Sequence, residues 1–286
     1  LFLEYKYYII RFMQLIDGKK IAEKLITELK EEVKKTQKPM RLAIVRAGED
    51  AATTSFLERK KKTGEEIGIN VRVFEYPTDV TTDKLRKQLA VIVHEKKNTG
   101  LIIQLPLPSH INTQYILNAV VPEKDVDMLS ARSLGDFISG KSRILPPVAG
   151  AVKKIFEEYN ISYKNRRIAV VGAGRLVGRQ VALWLMSEDT GFNLVTEKTL
   201  NAKEIISEAD IVIYGVGKPG VITGDMVKND VIVIDAGTSS AGGQITGDAD
   251  FDSVSKKASY ITPVPGGVGP LTVAMLFKNL VGLAKK

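Results

Sequence analysis

Apolar residues recur every four positions over residues 19–35, where Ile21, Leu25, Leu29 and Val33 share one face of an amphipathic helix. After Pro39 the pattern changes: residues 41–46 (RLAIVR) form a short apolar run that reads as a buried strand. Gly48 to Asp50 then turns, and Thr53 or Thr54 is placed to cap a helix reaching about Ile67. Residues 70–74 make a second strand, 81–97 a long helix with Asp83 in its first turn, and 101–105 a third strand stopped by Pro106 and Pro108. Residues 112–120 are helical, 122–130 (PEKDVDMLS) form a loop, and 143–147 (RILPP) look like a linker. The alternation then resumes with strands at 167–172, 192–196, 211–214 and 231–235, helices between them, and a closing helix over 271–285. Strands alternating with helices predict an α/β fold of βαβ units with a parallel sheet, whose ligands bind beyond the carboxyl ends of the strands. Gln104 and the loop after Arg46 fall at that edge.

Two stretches depart from plain alternation. Residues 261–275 (ITPVPGGVGPLTVAM) place three prolines and three glycines between Pro263 and Pro270, directly ahead of a helical pattern. Proline fixes φ and removes a donor, and glycine turns where a Cβ would clash, so the loop is rigid. The N–H groups of Gly266, Gly267, Val268 and Gly269 can face a ligand there, and Pro270 suits the first turn of the helix. A plain interdomain loop is the alternative. The second stretch is Gly172-Ala173-Gly174-Arg175, closed by Gly178, between a buried strand and a helix. In that context glycines allow a pyrophosphate to approach the backbone at a helix N-terminus, although G-x-G-x-x-x-G is one residue longer than the commonest dinucleotide fingerprint.

Composition narrows the field. The 286 residues suffice for two domains, and 44% apolar with 26% charged residues is ordinary for a globular chain. The net charge of +8 is spread over helix faces with no arginine-rich arm, so no nucleic-acid partner is expected. Without cysteine there is no disulfide or thiol chemistry. His94 and His110 have no neighbouring ligands, and no metal is expected. Asp125 and Asp127, two apart, point the same way in an extended segment, but a third ligand is lacking; a structural turn, or one aspartate facing a polar ligand, are the readings left open. No apolar run approaches the ~20 residues of a membrane span, so no membrane partner is expected. Residues 1–12 (LFLEYKYYIIRF) lack a signal-peptide cleavage pattern, and we read Met13 as the natural start with an extension before it.

The chain resembles the bifunctional methylenetetrahydrofolate dehydrogenase/methenyltetrahydrofolate cyclohydrolase family. The resemblance rests on residues 261–276 (ITPVPGGVGPLTVAML), 101–108 (LIIQLPLP), 122–127 (PEKDVD), 170–178 (VVGAGRLVG) and 231–237 (VIVIDAG), and covers the chain from about Met13 onward. It implies an N-terminal folate-binding catalytic lobe (1–147), a Rossmann-like lobe (148–270), and a C-terminal helix (271–286) returning to the first lobe. The implied chemistry is hydride transfer from 5,10-methylenetetrahydrofolate to NADP, then hydrolysis of the methenyl product to 10-formyltetrahydrofolate, in a cytoplasmic homodimer.

By resemblance the catalytic positions are Lys60, Gln104 and Asp127: a lysine assisting the water step, a glutamine tuning it, and an aspartate on the pterin edge. Taken alone, Lys60 is one lysine in the run Arg59-Lys60-Lys61-Lys62, which reads as a solvated face. Substrate contacts fall on Phe56, Leu105, Pro265, Gly266 and Gly269. Cofactor contacts fall on Gly172, Ala173, Gly174, Arg175, Glu197, Lys198 and Thr238. Phe56 stands where the family usually has tyrosine, which keeps a stacking ring but removes a hydroxyl and leaves a dehydrogenase-only enzyme open. A non-catalytic dinucleotide sensor is the other alternative. Glu197 suits the ribose hydroxyls of NAD, whereas Arg175 and Lys198 suit a 2′-phosphate; Glu197 and Lys198 neutralising one another is the third reading. NADP is the family default, with NAD possible.

Overall fold

Short β-branched runs bounded by turns become parallel strands where helices can cover both faces. This computed structural model describes residues 13–36, 38–48, 51–241 and 244–285. The extension read at residues 1–12 lies outside the described residues. In chain order the first half carries β1 (Gln14–Leu15), α1 (Gly18–Thr36), β2 (Arg41–Ala47), α2 (Ala51–Ile67), β3 (Asn70–Tyr76), α3 (Thr82–His94) and β4 (Gly100–Ile103). Then follow α4 (Thr113–Leu117), α5 (Ala131–Ile138), α6 (Pro147–Glu158), β5 (Ile168–Val171), α7 (Gly178–Ser187), β6 (Asn193–Val195) and α8 (Ala202–Glu208). The chain ends with β7 (Ile211–Tyr214), β8 (Val231–Asp235), β9 (Ser239–Ala241), β10 (Gln244–Thr246), α9 (Phe251–Val254), β11 (Ala258–Ile261) and α10 (Val268–Ala284).

Two parallel sheets result. One runs β3-β2-β4 and the other β1-β11-β8-β7-β5-β6; β9 and β10 form a separate antiparallel hairpin. The two-residue β1 adds an edge to the second sheet, and Ile16 N–H extends its pairing by donating to Ile261 O at 2.8 Å. One apolar cluster joins the sheets through α1, α6 and α10, with Leu25, Leu29, Ile155, Phe156, Met275 and Phe277 at its centre. The closing helix α10 therefore packs on α1 and α2 as well as on α6. Buried Asn279 ties α10 to the loops by donating to Val126 O (2.9 Å) and Leu145 O (2.8 Å).

Several boundaries differ from the sequence reading. The helix α2 begins at Ala51, so Thr53 and Thr54 lie inside it rather than capping it. Thr54 Oγ1 instead accepts from the Arg46 guanidinium at 3.1 Å. The helix α3 ends at His94, not 97, because side chains take over its last carbonyls: Asn98 donates to Ile92 O, and Lys124 Nζ to Val93 O and Glu95 O. β4 stops at Ile103, which places Gln104 just beyond the strand. The stretch 112–120 shortens to α4, capped by Asn112, whose side chain accepts from Tyr115 N–H at 3.0 Å.

Candidate active site

The inner face of α2 explains why one lysine of a basic run is special. Leu57, Lys60, Gly64 and Ile67 are buried at helical spacing, whereas Lys61 is about half exposed. Lys60 occupies a core-facing position with only 8% of its surface exposed. Its Nζ donates to Gln104 Oε1 at 2.8 Å, and Gln104 Nε2 in turn donates to Leu105 O at 3.0 Å. That second bond fixes the amide so that its oxygen faces the lysine. Burial pushes the Lys60 ammonium below the usual lysine range, and the charge of Asp127 opposes the shift.

The two aspartates have separate tasks. Buried Asp125 is consumed by structure: its carboxylate accepts from Ser130 N–H (2.9 Å) and Ser133 Oγ (2.7 Å). Leu101 N–H donates to Lys124 O at 2.7 Å, which holds this loop alongside β4. Asp127 is half-buried and faces the lysine charge. Burial raises its carboxyl to about 6, with Lys60 pulling it down and Asp125 pushing it up. A buried amine and a carboxylate raised to about 6, each within the other's field, thus lie at the carboxyl end of the small sheet.

A cleft lies between α2 and the Pro/Gly loop. Phe56 and Arg59 line it from one side; Pro265, Gly266, Gly269, Thr238 and the end of β8 line it from the other. The Arg59 guanidinium lies 5.8 Å from the centre of the Phe56 ring. Gly267 N–H donates to Pro263 O at 2.8 Å, so of the four amides read as ligand-facing this one is spent inside the loop. Gly266 adopts φ +109°. Its carbonyl accepts from Lys19 N–H at 2.9 Å, and a Cβ on Gly18 would meet Gly267 O at 2.0 Å. The loop is therefore clamped by the start of α1.

The dinucleotide-type loop follows β5. Gly172 adopts φ +100°, where a Cβ would come within 2.9 Å of Gly215 O; at Gly178 it would meet Gly172 O at 1.8 Å. Both glycines are needed for a tight turn into α7. Gly174, by contrast, is exposed, and its nearest neighbour to an added Cβ is Gly215 O at 3.8 Å, so the loop leaves room for a pyrophosphate against its backbone. Ala173 O accepts from Arg179 Nε at 3.1 Å, and Arg175 is half-buried beside it. Beyond β6, exposed Glu197 pairs with Lys218 and not with Lys198, which removes the mutual neutralisation of 197 and 198. This loop fits the phosphates of a nicotinamide dinucleotide.

Other polar groups here were given no role in the sequence reading, Asp235 entering it only within the stretch 231–237. Asp235, at the end of β8, accepts from Gly237 N–H and Ala249 N–H, both at 2.9 Å, and burial raises its carboxyl to about 6. Asp248 accepts from the Val216 and Gly217 amides and so pins the loop after β7. Buried Tyr214 lies near both, and burial with their charges pushes its phenol well above the usual range. The available signal was a charged residue closing the apolar run VIVID.

Comparisons with known proteins identify the family. Residues 16–127 match the catalytic domain of tetrahydrofolate dehydrogenase/cyclohydrolase, and residues 146–286 match its NAD(P)-binding domain. The Bifunctional protein FolD of Nautilia profundicola is 42% identical over 277 residues, covering 96% of this chain and 98% of the relative. A crystal structure of the bifunctional FolD enzyme from Campylobacter jejuni superposes with a TM-score of 0.91 at 36% identity, covering 96% of this chain and 99% of that one. The Trypanosoma brucei FolD, solved with NADP cofactor and an inhibitor, gives 0.89 at 32% identity, covering 96% and 97%. The chain described here belongs to the tetrahydrofolate dehydrogenase/cyclohydrolase family.

Proposed function

We propose that Lys60, Gln104 and Asp127 carry the family's folate chemistry in this chain, with the pterin held by Asp127 and the one-carbon bridge beside Lys60. The enzyme oxidises 5,10-methylenetetrahydrofolate and hydrolyses the methenyl product to 10-formyltetrahydrofolate. The observation carrying this reading is the buried Lys60–Gln104 hydrogen bond beside the Asp127 carboxylate. A carboxylate matches the paired N–H donors of a pterin edge in bidentate fashion. Bound NADP supplies the hydride acceptor. The glycine loop at Gly172–Gly174 supports its phosphates, and Thr238 lies on the cleft wall opposite Phe56.

The water step is where the protein moves a proton. Water attacks the methenyl carbon, and Lys60 Nζ, whose burial favours the neutral amine, accepts the proton that leaves it. Cleavage of the carbon–N5 bond then returns that proton to N5 while the carbinol hydroxyl releases its own proton to solvent, leaving the formyl group on N10 and one proton released overall. Gln104 keeps Nζ aimed, since its amide is itself tethered to Leu105 O. A cytoplasmic homodimer is our reading on family grounds alone; separately, no helix among the described residues is long and apolar enough to cross a membrane.

The test is to mix the protein with 5,10-methylenetetrahydrofolate and NADP and follow methenyl absorbance as it rises and decays. No methenyl product with either NADP or NAD would sink the reading. A rise without enzyme-dependent decay would favour the dehydrogenase-only alternative, which Phe56 motivates by lacking a hydroxyl. Phe56→Tyr is expected to raise hydrolysis by no more than about tenfold, since an unprepared pocket charges ~1 kcal/mol or more for an unpartnered hydroxyl. An unchanged rate would show that the pocket has adapted around the phenylalanine.

A further inference from the structure

In the large sheet β5 lies between β6 and β7. Glu197 stands two residues past the end of β6, and Lys218 four past the end of β7. Their side chains therefore meet across the carboxyl end of β5, where the glycine loop begins, and there they form an ion pair. Both partners are mostly exposed, at 77% for Glu197 and 62% for Lys218. Such a pair is open to water and salt and gives way easily to a better partner. Their hydrogen bond holds the glutamate below and the lysine above its ordinary range, so both are charged at neutral pH.

An acidic side chain after the second strand of a dinucleotide fold accepts the ribose hydroxyls of NAD and repels a 2′-phosphate. Here that carboxylate arrives with a cation attached. We propose that Lys218 is a specificity-determining residue: it leaves Glu197 to take the 2′-phosphate of NADP, while an unphosphorylated ribose leaves the pair closed. A phosphomonoester at the ribose replaces the carboxylate as the lysine's partner, exchanging one anion for a doubly charged one. Arg175, in the glycine loop, and Lys198, next to Glu197 in the chain, form no ion pair among the described residues and add to the same field. The exchange accounts for an NADP enzyme that carries a glutamate at this position, and makes discrimination against NAD shallow.

The inference rests on the dinucleotide reading of the loop but needs neither folate nor turnover, so it is tested on the full chain with nucleotide fragments. Calorimetric titration would compare adenosine 2′,5′-bisphosphate with 5′-AMP. Lys218→Ala is expected to weaken the bisphosphate by roughly tenfold and 5′-AMP by less than about twofold. Lys218→Arg should keep binding within about threefold of the parent, because it keeps the cation. Glu197→Ser should tighten the bisphosphate by several-fold, roughly, by freeing the lysine, and that gain should vanish when Lys218 is alanine. The ratio of kcat/KM for NADP over NAD should move in step. Equal loss of both fragments in Lys218→Ala, or an undiminished Glu197→Ser gain in the alanine background, would overturn the proposal and leave Glu197 a simple repellent. A parent chain that binds 5′-AMP but not the bisphosphate overturns it alone; one that binds neither overturns the dinucleotide reading as well.

Discussion

Replacing Lys60 with methionine is expected to slow methenyl hydrolysis by roughly 10²–10⁴-fold while hydride transfer falls by about tenfold or less. Methionine keeps most of the stem volume and removes the base. The water step needs a group that accepts a proton and returns it, whereas hydride transfer asks chiefly that two ligands be aligned. The fold should survive, at a cost of about 1–3 kcal/mol for leaving Gln104 Oε1 without its donor. Lys60→Arg separates proton transfer from charge. A guanidinium stays protonated at any working pH, so arginine should lose hydrolysis although the positive charge remains. In the parent enzyme the rate should climb with pH through the depressed titration of Lys60, because only the neutral amine accepts a proton. Parallel assays of methenyl formation and decay read both steps. Equal loss of the two activities in a folded Lys60→Met protein would make Lys60 a binding residue and no more.

How much of this was legible in the residues differs from element to element. Strands 211–214 and 231–235 emerge at the residues read, because a fully buried parallel strand leaves a near-continuous β-branched run. β1 left no such trace: two exposed residues have no periodicity, and only pairing with Tyr260 and Ile261 makes them a strand. The hairpin of β9 and β10, three residues a strand, is nearly as short and largely polar, and α6 was hidden behind the prolines read as a linker. At the site, charge alone could not separate Lys60 from Lys61 and Lys62. The spacing of Leu57, Lys60, Gly64 and Ile67 could have done so, because it places a cation on the face that burial demands be apolar. Lys218 lies 21 residues from Glu197, and no spacing rule joins them. Their meeting follows from strand order alone, which a single sequence does not state.

Asp127→Asn is expected to cost activity and add stability, in opposite directions above pH 6. The carboxylate is the pterin's bidentate acceptor in our reading, and asparagine turns one of its oxygens into a donor facing an N–H. A buried site with a mismatched donor commonly discriminates by several orders of magnitude, so kcat/KM for methylenetetrahydrofolate should fall about 10²–10⁴-fold. Burial raises the carboxyl from 3.8 to about 6. A group that holds its proton more tightly when folded contributes stability that is whole below about pH 4. That contribution is lost as pH rises through about 6. Two units correspond to about 3 kcal/mol at most for the ionised site at neutral pH. Asparagine has no charge to desolvate and escapes that cost, but it also strips Lys60 of a favourable neighbour, so a net gain of about 1–2 kcal/mol is the expected outcome. Thermal unfolding at pH 4, 5, 7 and 8 reads it directly: the variant's Tm should exceed the parent's at the upper two values and converge with it at the lowest. A Tm difference that is the same at every pH would mean that Asp127 does not titrate in this window, and that the carboxylate enters the folded state already paired.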